Sequence, residues 1–327
     1  MPTALIIGGT GQIGIAIAHL LTRSGWHVRL AARNPVAGLP GDFVHLDKTE
    51  DAALARALGD GADLLVDCVA FNADDARALL SAQDRVTQIL AISSVSVFCD
   101  AKGRVLDTAA ADGFPEMPIP IPEDHPTVAP GDTHYSDRKA AMEAVLCEGA
   151  RIPASILRPA AIHGPHSKHA REYWFLRRIR DNRAAIPLAN QGASRFQTTA
   201  AQAIALATLW AYERGDGPVA SVTDADAPSV LEIGQTIARW AGAKPDFLGH
   251  ADTEPGRTPW SAPNPLIYAS SAPNAGTYAE TVTPALEWLD HAVTAENWRE
   301  KIPQLAAYPR DHFDYAAEDR WLAAPAT

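Results

Sequence analysis

Tyr135 and Lys139 stand four residues apart in the run Tyr135-Ser136-Asp137-Arg138-Lys139. On a helix that spacing stacks the two side chains on one face, one turn apart. A phenol ionises near pH 10 and is a weak base at neutral pH. A neighbouring ammonium favours the phenolate and is expected to lower that value. The pair is therefore suited to moving a proton to or from a carbonyl or hydroxyl oxygen. Ser93, Ser94 and Ser96 follow an apolar run that ends at Ile92, and they supply hydroxyls that could hold the same oxygen.

A second chemistry lies near the start of the chain, in Ile6-Ile7-Gly8-Gly9-Thr10-Gly11-Gln12-Ile13-Gly14. An apolar strand (Ala4 to Ile7) runs into Ile13, Ile15, Ile17, Leu20 and Leu21 at helical spacing. A strand that turns sharply into a helix gathers bare amide N–H groups and the positive helix end at one point, suited to a pyrophosphate. Gly8 permits the turn, Gly11 allows close backbone approach, and Gly14 lets the helix pack. Thr10, Gln12 and Ile13 lie in the same turn and are counted with it. The second strand ends in Ala31-Ala32-Arg33, without the acid that grips ribose hydroxyls in NAD-selective sites. A guanidinium at Arg33 can pair with a 2′-phosphate, which points to NADP over NAD. Asp47, after the third strand, is a candidate acceptor for an adenine amino group.

These groups must be positioned by a scaffold, and the first half of the chain predicts one. Strands are expected at Ala4–Ile7, His27–Ala31, Phe43–Leu46, Leu64–Val69 and Gln88–Ile92, with helices at Ile13–Ser24, Asp51–Leu58 and Ala73–Leu80. That alternation predicts an α/β fold, a doubly wound parallel sheet with ligands at the carboxyl ends of its strands. From Asp107 to Gly131 six prolines preclude a regular element, so a long surface excursion is expected there, a candidate lid. A helix from Ser136 to Cys147 and a strand from Ala154 to Leu157 follow. Farther on, helices are expected at 170–182, 200–213, 229–241 and 284–300, and a loop at 252–277.

Composition narrows the partners. A net charge of −11 argues against nucleic acid or an acidic membrane as main partner. No apolar run is long enough to span a bilayer, and no export leader is evident. Three widely spaced cysteines, Cys68, Cys99 and Cys147, fit reduced thiols in a cytoplasmic protein. His163, His166 and His169 come nearest to metal-ligand spacing, but Gly164-Pro165 breaks any helix there, so no metal is expected. The stretch from His163 to Arg183 is locally basic, a candidate wall for an anionic small-molecule substrate.

Taken in order, Gly8-x-x-Gly11-x-x-Gly14, Asp47, Ile92-Ser93-Ser94, Tyr135-x-x-x-Lys139 and Leu157-Arg158-Pro159 to Gly164-Pro165 resemble the short-chain dehydrogenase/reductase superfamily. The resemblance is to its extended group, the NAD-dependent epimerase/dehydratase family, and Pro122-Glu123-Asp124-x-Pro126 is typical of that group. It covers roughly residues 3 to 215. It implies a Rossmann domain over 1–165, with 194–223 returning to it, and a smaller substrate-binding region from 166–193 and 224–327. It further implies Tyr135 as acid/base, Lys139 as its pKa modulator and ribose ligand, and Ser94 as the orienting hydroxyl, with Ser96 a nearby substitute. The backbone of Val69, Ala70 and Phe71, together with Pro159, would face the cofactor. His163, Arg171, Trp174 and Arg195 become substrate-side candidates, with Phe175, Arg257 and Trp260 as further pocket walls. The helix from Tyr135 is where relatives form homodimers.

The departures from the family pattern bear on the substrate. Ala161 replaces the Asn that helps hold the diphosphate in nucleotide-sugar enzymes, whereas Arg195 stands where those enzymes carry a phosphate-binding Arg. Three readings follow. The leading one is an NADP-dependent reductase or dehydrogenase acting on a carbonyl/alcohol carbon. The second is a sugar-nucleotide epimerase or dehydratase. The third is a non-catalytic nucleotide- or RNA-binding relative, because Arg171-Glu172-Tyr173-Trp174-Phe175 resembles the branch of chloroplast stem-loop RNA-binding proteins.

Overall fold

The computed structural model describes residues 1–50, 52–251 and 255–323. Eleven strands occur among them: β1 (Thr3–Ile7), β2 (His27–Ala32), β3 (Asp42–His45), β4 (Ala62–Asp67), β5 (Val86–Ile92), β6 (Ala154–Pro159), β7 (Ala161–His163), β8 (Ala185–Leu188), β9 (Thr198–Ala200), β10 (Val219–Val222) and β11 (Asp246–Gly249). The main helices are α1 (Gln12–Arg23), α2 (Ala53–Leu58), α3 (Ala73–Leu80), α4 (Ala109–Asp112), α5 (Tyr135–Gly149), α6 (Tyr173–Arg180), α7 (Ala201–Arg214) and α8 (Val230–Trp240).

Contacts divide the chain into two units. The first holds Met1–Ala160, Ala201–Thr223 and Tyr268–Ala275. Its seven-stranded sheet runs β10-β6-β5-β4-β1-β2-β3, with every pairing parallel. Parallel strands are buried on both faces and need apolar residues throughout, which β1 (TALII) and β5 (VTQILAI) supply. One face is closed by α2, α3 and α5, whose Ala57, Leu79, Met142 and Leu146 pack with Leu5, Leu65 and Ile89 of the sheet. In another layer α1 packs on α7. The order reverses at β1 and β4, so the carboxyl ends of those two strands open a crevice, where ligands bind in doubly wound sheets.

The second unit comprises Ala161–Ala200, Asp224–Ile267 and Gly276–Thr327, of which 324–327 lie outside the described residues. Its core gathers Tyr173, Trp174, Phe175 and Leu176 of α6 with Ile233 and Ile237 of α8 and the later Trp260 and Trp298. Two small parallel pairs, β7 with β9 and β8 with β11, lie within it.

Several elements depart from the expected pattern. A helical turn and α4 occupy 106–112, because the first proline of the excursion comes only at Pro115 and Ala109-Ala110-Ala111 favours helix. The single helix expected over 284–300 is two, Thr283–Ala292 and Trp298–Lys301. Between them the Thr294 amide donates to Asn297 Oδ1 and the Asn297 amide to Thr294 Oγ1, local bonds that compete with the helix ladder. Asp51, the expected start of the second helix, and 252–254 of the expected loop lie outside the described residues. Among the described residues no helix is long and apolar enough to cross a membrane.

Candidate active site

At the end of β1 the chain turns at Gly8, whose φ of 75° is a left-handed conformation that favours glycine. The Gly8 and Gly9 amides both donate to the Ala31 carbonyl of β2, at 2.9 and 3.3 Å. A Cβ on Gly14 would lie 2.5 Å from the Gly8 carbonyl oxygen, and one on Gly9 would lie 2.9 Å from Leu30 Cα. These glycines are demanded by the chain's own close packing. Gly11 is different. It is exposed, caps α1 without a side chain, and a Cβ there would meet only Gly8 O, at 3.3 Å. The positive end of α1 is thus left open at Gly11, flanked by half-buried Thr10, Gln12 and Ile13.

Arg33 is exposed just past β2. Asp47 lies within its electrostatic reach and accepts from the Thr49 amide (3.0 Å) and hydroxyl (2.8 Å). Those two bonds hold the Asp47 carboxyl below its usual range.

The candidate proton-transfer pair sits at the start of α5. Asp137 accepts from the His134 amide at 2.9 Å, and Asp107 accepts from the Ser136 amide at 2.9 Å and from the Ser136 hydroxyl. Carboxylates at a helix N-terminus satisfy its orphan amides and oppose its dipole. Asp107 comes from the proline-rich excursion, which is pinned again by Glu123. That carboxylate accepts from the Ser221 amide (2.8 Å) and the Ser271 amide (3.0 Å). Arg158 ion-pairs with Glu143 at 2.6 Å, with its guanidinium 5.0 Å from the Phe98 ring. The motif residues Glu123 and Arg158 thus serve the scaffold.

Tyr135 is 43% exposed, and the Ser94 side chain is the neighbour that draws its pKa down. Ser94 accepts from the Ser96 amide at 3.1 Å. The Ser93 and Ser96 hydroxyls are buried with no hydrogen-bond partner among the described residues. Lys139 is buried, its Nζ 5.8 Å from the Tyr135 ring centre, and donates to the carbonyls of Ala70 (2.5 Å) and Ile92 (2.8 Å). An ammonium has three donors, so one N–H remains. Burial brings Lys139 down to about 8, against the opposing pull of Asp67 and Glu143.

The phenol departs from the sequence expectation. Its pKa is raised, because loss of water and the nearby Asp107 carboxylate outweigh the pull of Ser94. The Lys139 charge is committed to two carbonyls and does not bring the phenol down. Beside this pair, Val69 is 51% exposed and Ala70 is buried, while Phe71 packs its ring 5.7 Å from that of Tyr135. Pro159, the last residue of β6, is buried.

Sequence reasoning missed one charged group. Asp67, 1% exposed at the end of β4, accepts from Lys48 Nζ at 2.8 Å, and Lys48 also reaches Asp75 at 3.0 Å. Only the run Asp47-Lys48 just after a strand hinted at it.

Apart from Ser96, which lies in the first unit, the substrate-side candidates belong to the second unit. His163 is 1% exposed, bonded through Nε2 to Asp224 at 2.8 Å and edge-on to Tyr278. Trp174 is buried with the Arg178 guanidinium 3.5 Å from its ring centre, and Phe175 and Trp260 stack in the same core. Arg171 lies 5.7 Å from the Phe196 ring, its Nε buried without a hydrogen-bond partner among the described residues. Arg195 is exposed and lines an open cavity of about 390 Å³ with Asp226, Glu232, Gln235, Arg239 and Tyr278. Arg257 lines a separate cavity.

The basic stretch is largely neutralised within its own unit. Arg177 pairs with Asp181, Arg178 with Glu318, Arg180 with Asp290 and Arg183 with Asp319. The expected basic wall therefore reduces to Arg171 and Lys168. His166 lies against Trp288 and His169 bonds Tyr308, so the three histidines have separate partners.

A model of the NAD dependent epimerase/dehydratase family matches residues 4–222. Over 205 residues, 58% of this chain, the sequence is 26% identical to chloroplast stem-loop binding protein of 41 kDa b from Arabidopsis thaliana. That match spans 49% of the relative, about half its length. Among solved structures, UDP-N-acetylglucosamine 4-epimerase from Bacillus cereus superposes with a TM-score of 0.67 at 16% identity, over 88% of this chain and 99% of that one. dTDP-glucose 4,6-dehydratase from Bacillus anthracis, in complex with NAD, gives 0.66 at 14% identity, over 92% and 100%. At such identities the likeness is one of fold.

Proposed function

The chain belongs to the NAD dependent epimerase/dehydratase family, and from that premise we propose that it binds NADP and moves a hydride to or from a carbonyl/alcohol carbon, with Tyr135 as acid/base. The observation that carries the reading is the convergence of the Ser94 hydroxyl, the Tyr135 phenol and the Lys139 ammonium beside the carboxyl ends of β4 and β5.

The residues present suit a nicotinamide dinucleotide. The open Gly11 cap would receive the pyrophosphate on backbone amides. Arg33, exposed and without a neighbouring acid in the Ala31-Ala32-Arg33 run, would pair with a 2′-phosphate. The third Lys139 N–H would donate to a ribose hydroxyl. The bound cofactor supplies the hydride chemistry, and the protein supplies position and a proton. Ser94 holds the substrate oxygen. Tyr135, with its pKa raised, carries its proton at neutral pH and is ready to donate it to that oxygen; in the reverse direction it must accept one.

A second reading is favoured by the structural neighbours, which are named as sugar-nucleotide epimerases and dehydratases. It uses the same Tyr135 but needs a diphosphate clamp. Ala161 is buried in β7 and has no polar group to offer, which leaves Arg195. The two readings part on cofactor retention, since an epimerase keeps its oxidised cofactor through purification while a reductase exchanges it.

The test is calorimetry with NADP, NADPH, NAD and NADH on the purified chain, followed by Tyr135→Phe. NADP(H) should bind more tightly than NAD(H). Tyr135→Phe should lower turnover by 10²-fold or more with cofactor affinity largely kept. Unchanged turnover removes Tyr135 from the chemistry, and no heat with any of the four removes the enzymatic reading altogether.

A further inference from the structure

We propose that Asp67, together with Lys48 and Asp75, is a positioning device that fixes the 67–72 turn and thereby holds Lys139 and Tyr135 in register; this inference rests on the reading of those two residues as the proton-transfer pair. Asp67 ends β4 with its side chain buried, where a carboxylate must find partners for each oxygen. One oxygen accepts from Lys48 Nζ at 2.8 Å and the other from the Val69 amide at 2.8 Å. Lys48 carries the link to Asp75 Oδ1 at 3.0 Å. The second oxygen of Asp75 accepts from the Phe71 amide at 2.7 Å and the Asn72 amide at 3.3 Å, while Asn72 caps α3 in return. The amides of Val69, Phe71 and Asn72 therefore all end on these two carboxylates.

Two side chains of the catalytic pair touch that turn. The Ala70 carbonyl, set between pinned amides, receives Lys139 Nζ at 2.5 Å. The Phe71 ring lies against Tyr135. A turn free to flex would move both contacts together. Glycine plays no part in fixing it, because residues 67–72 contain none.

Asp67 also acts on Lys139 through space. The groups facing Lys139 are Asp67 and the Cys68 thiol from the end of β4, Asp75 from α3, Lys48 from the segment after β3, and Glu143 and Tyr135 from α5. Burial opposes the Lys139 charge, and Asp67 is the strongest group sustaining it. Burial also pushes Asp67 up, and Lys48 is the group that holds it down, so the network is mutual.

The test reads the cofactor-free chain, by ¹³Cε NMR titration of labelled lysine; six lysines make the spectrum assignable. In the wild type Lys139 should titrate near 8. Asp67→Asn removes the sustaining charge and leaves Lys48 with Asp75 as its remaining carboxylate, so the Lys139 midpoint should fall by about one unit or more, tenfold in proton affinity. Asp75→Asn, at a more exposed position, should shift it in the same direction by less. NADPH affinity at pH 8 should weaken about fivefold or more in Asp67→Asn, because the charged fraction of Lys139 at that pH falls from about one half to about one in eleven. A folded Asp67→Asn chain with an unmoved Lys139 midpoint overturns the proposal. If that variant does not fold, an unmoved midpoint in Asp75→Asn overturns it instead. Neither result touches the functional reading, which fails separately if the wild type binds no dinucleotide.

Discussion

Replacing Lys139 with methionine should remove a pH-dependent part of the folding free energy. Burial brings this ammonium from an ordinary 10.5 down to about 8. Between those values the unfolded chain binds a proton that the native chain does not, so native stability rises with pH across the window. The gap of about 2.5 units, at about 1.36 kcal/mol each, is worth roughly 3 kcal/mol. Below about pH 8 both states are protonated and the contribution is constant and unfavourable; above 10.5 both are neutral. Methionine binds no proton in either state. The difference in unfolding free energy, wild type minus Lys139→Met, should therefore climb by roughly 3 kcal/mol from pH 7 to pH 10.5. Urea unfolding at fixed ionic strength measures it, and subtraction cancels the groups that titrate in both proteins. The variant also leaves the Ala70 and Ile92 carbonyls without their donor, at about 1–3 kcal/mol each. That cost does not depend on pH, so the slope is diagnostic and the offset is not. A flat difference across the window would refute the claim that Lys139 is held in the fold against its own desolvation. The same titration should appear in binding: NADPH affinity weakens as pH passes about 8 in the wild type, and that limb is absent in Lys139→Met.

Arg33→Ala should lower the ratio of NADP to NAD affinity about tenfold or more, and an unaltered ratio by calorimetry removes the 2′-phosphate assignment. Gly14→Ala should cost about 1–3 kcal/mol, because its Cβ would sit 2.5 Å from the Gly8 carbonyl oxygen and backbone cannot give way cheaply. An unchanged melting temperature would mean that α1 moves freely relative to the turn. RNA stem-loops should produce no gel shift even at low salt, given the net charge of −11; a salt-dependent shift would instead favour the role for which the Arabidopsis relative is named.

The parts of this site that were legible in the sequence share one property: each is local. Gly8 to Gly14 declares a strand, a turn and a helix within a dozen residues, and the fold places them so. Tyr135 and Lys139 declare a shared helical face by spacing alone. The alternation of the first half fixed the sheet for the same reason, since periodicity is read within one element. Short strands such as β8, with Pro187 in it, and β11 carry too few residues for a period to show, so the second half was read less well.

What the sequence could not display were the electrostatics, because these arise only when distant segments meet. Lys48, Asp67, Asp75 and Lys139 come from four separate segments of the chain. Parallel pairing of β1 with β4 and β4 with β5 carries those segments to one end of the sheet. The phenol shows the consequence. Spacing promised that the Lys139 ammonium would lower it, but an ammonium does so only when its charge faces the phenol in a low-dielectric space. Here that charge faces the carbonyls of Ala70 and Ile92, while Asp107, from a segment nearly thirty residues upstream, faces Tyr135. A negative group on one side and desolvation on the other keep the proton on the oxygen. For this chain the resting state of the pair is therefore a neutral acid beside a buried cation. On the proposed acid/base role the phenol starts as a proton donor, and to act as an acceptor it must first lose that proton. Asp107→Asn should therefore lower the pH at which the phenol gives up its proton, and an unchanged pH profile would refute the part given to Asp107 in keeping that proton in place.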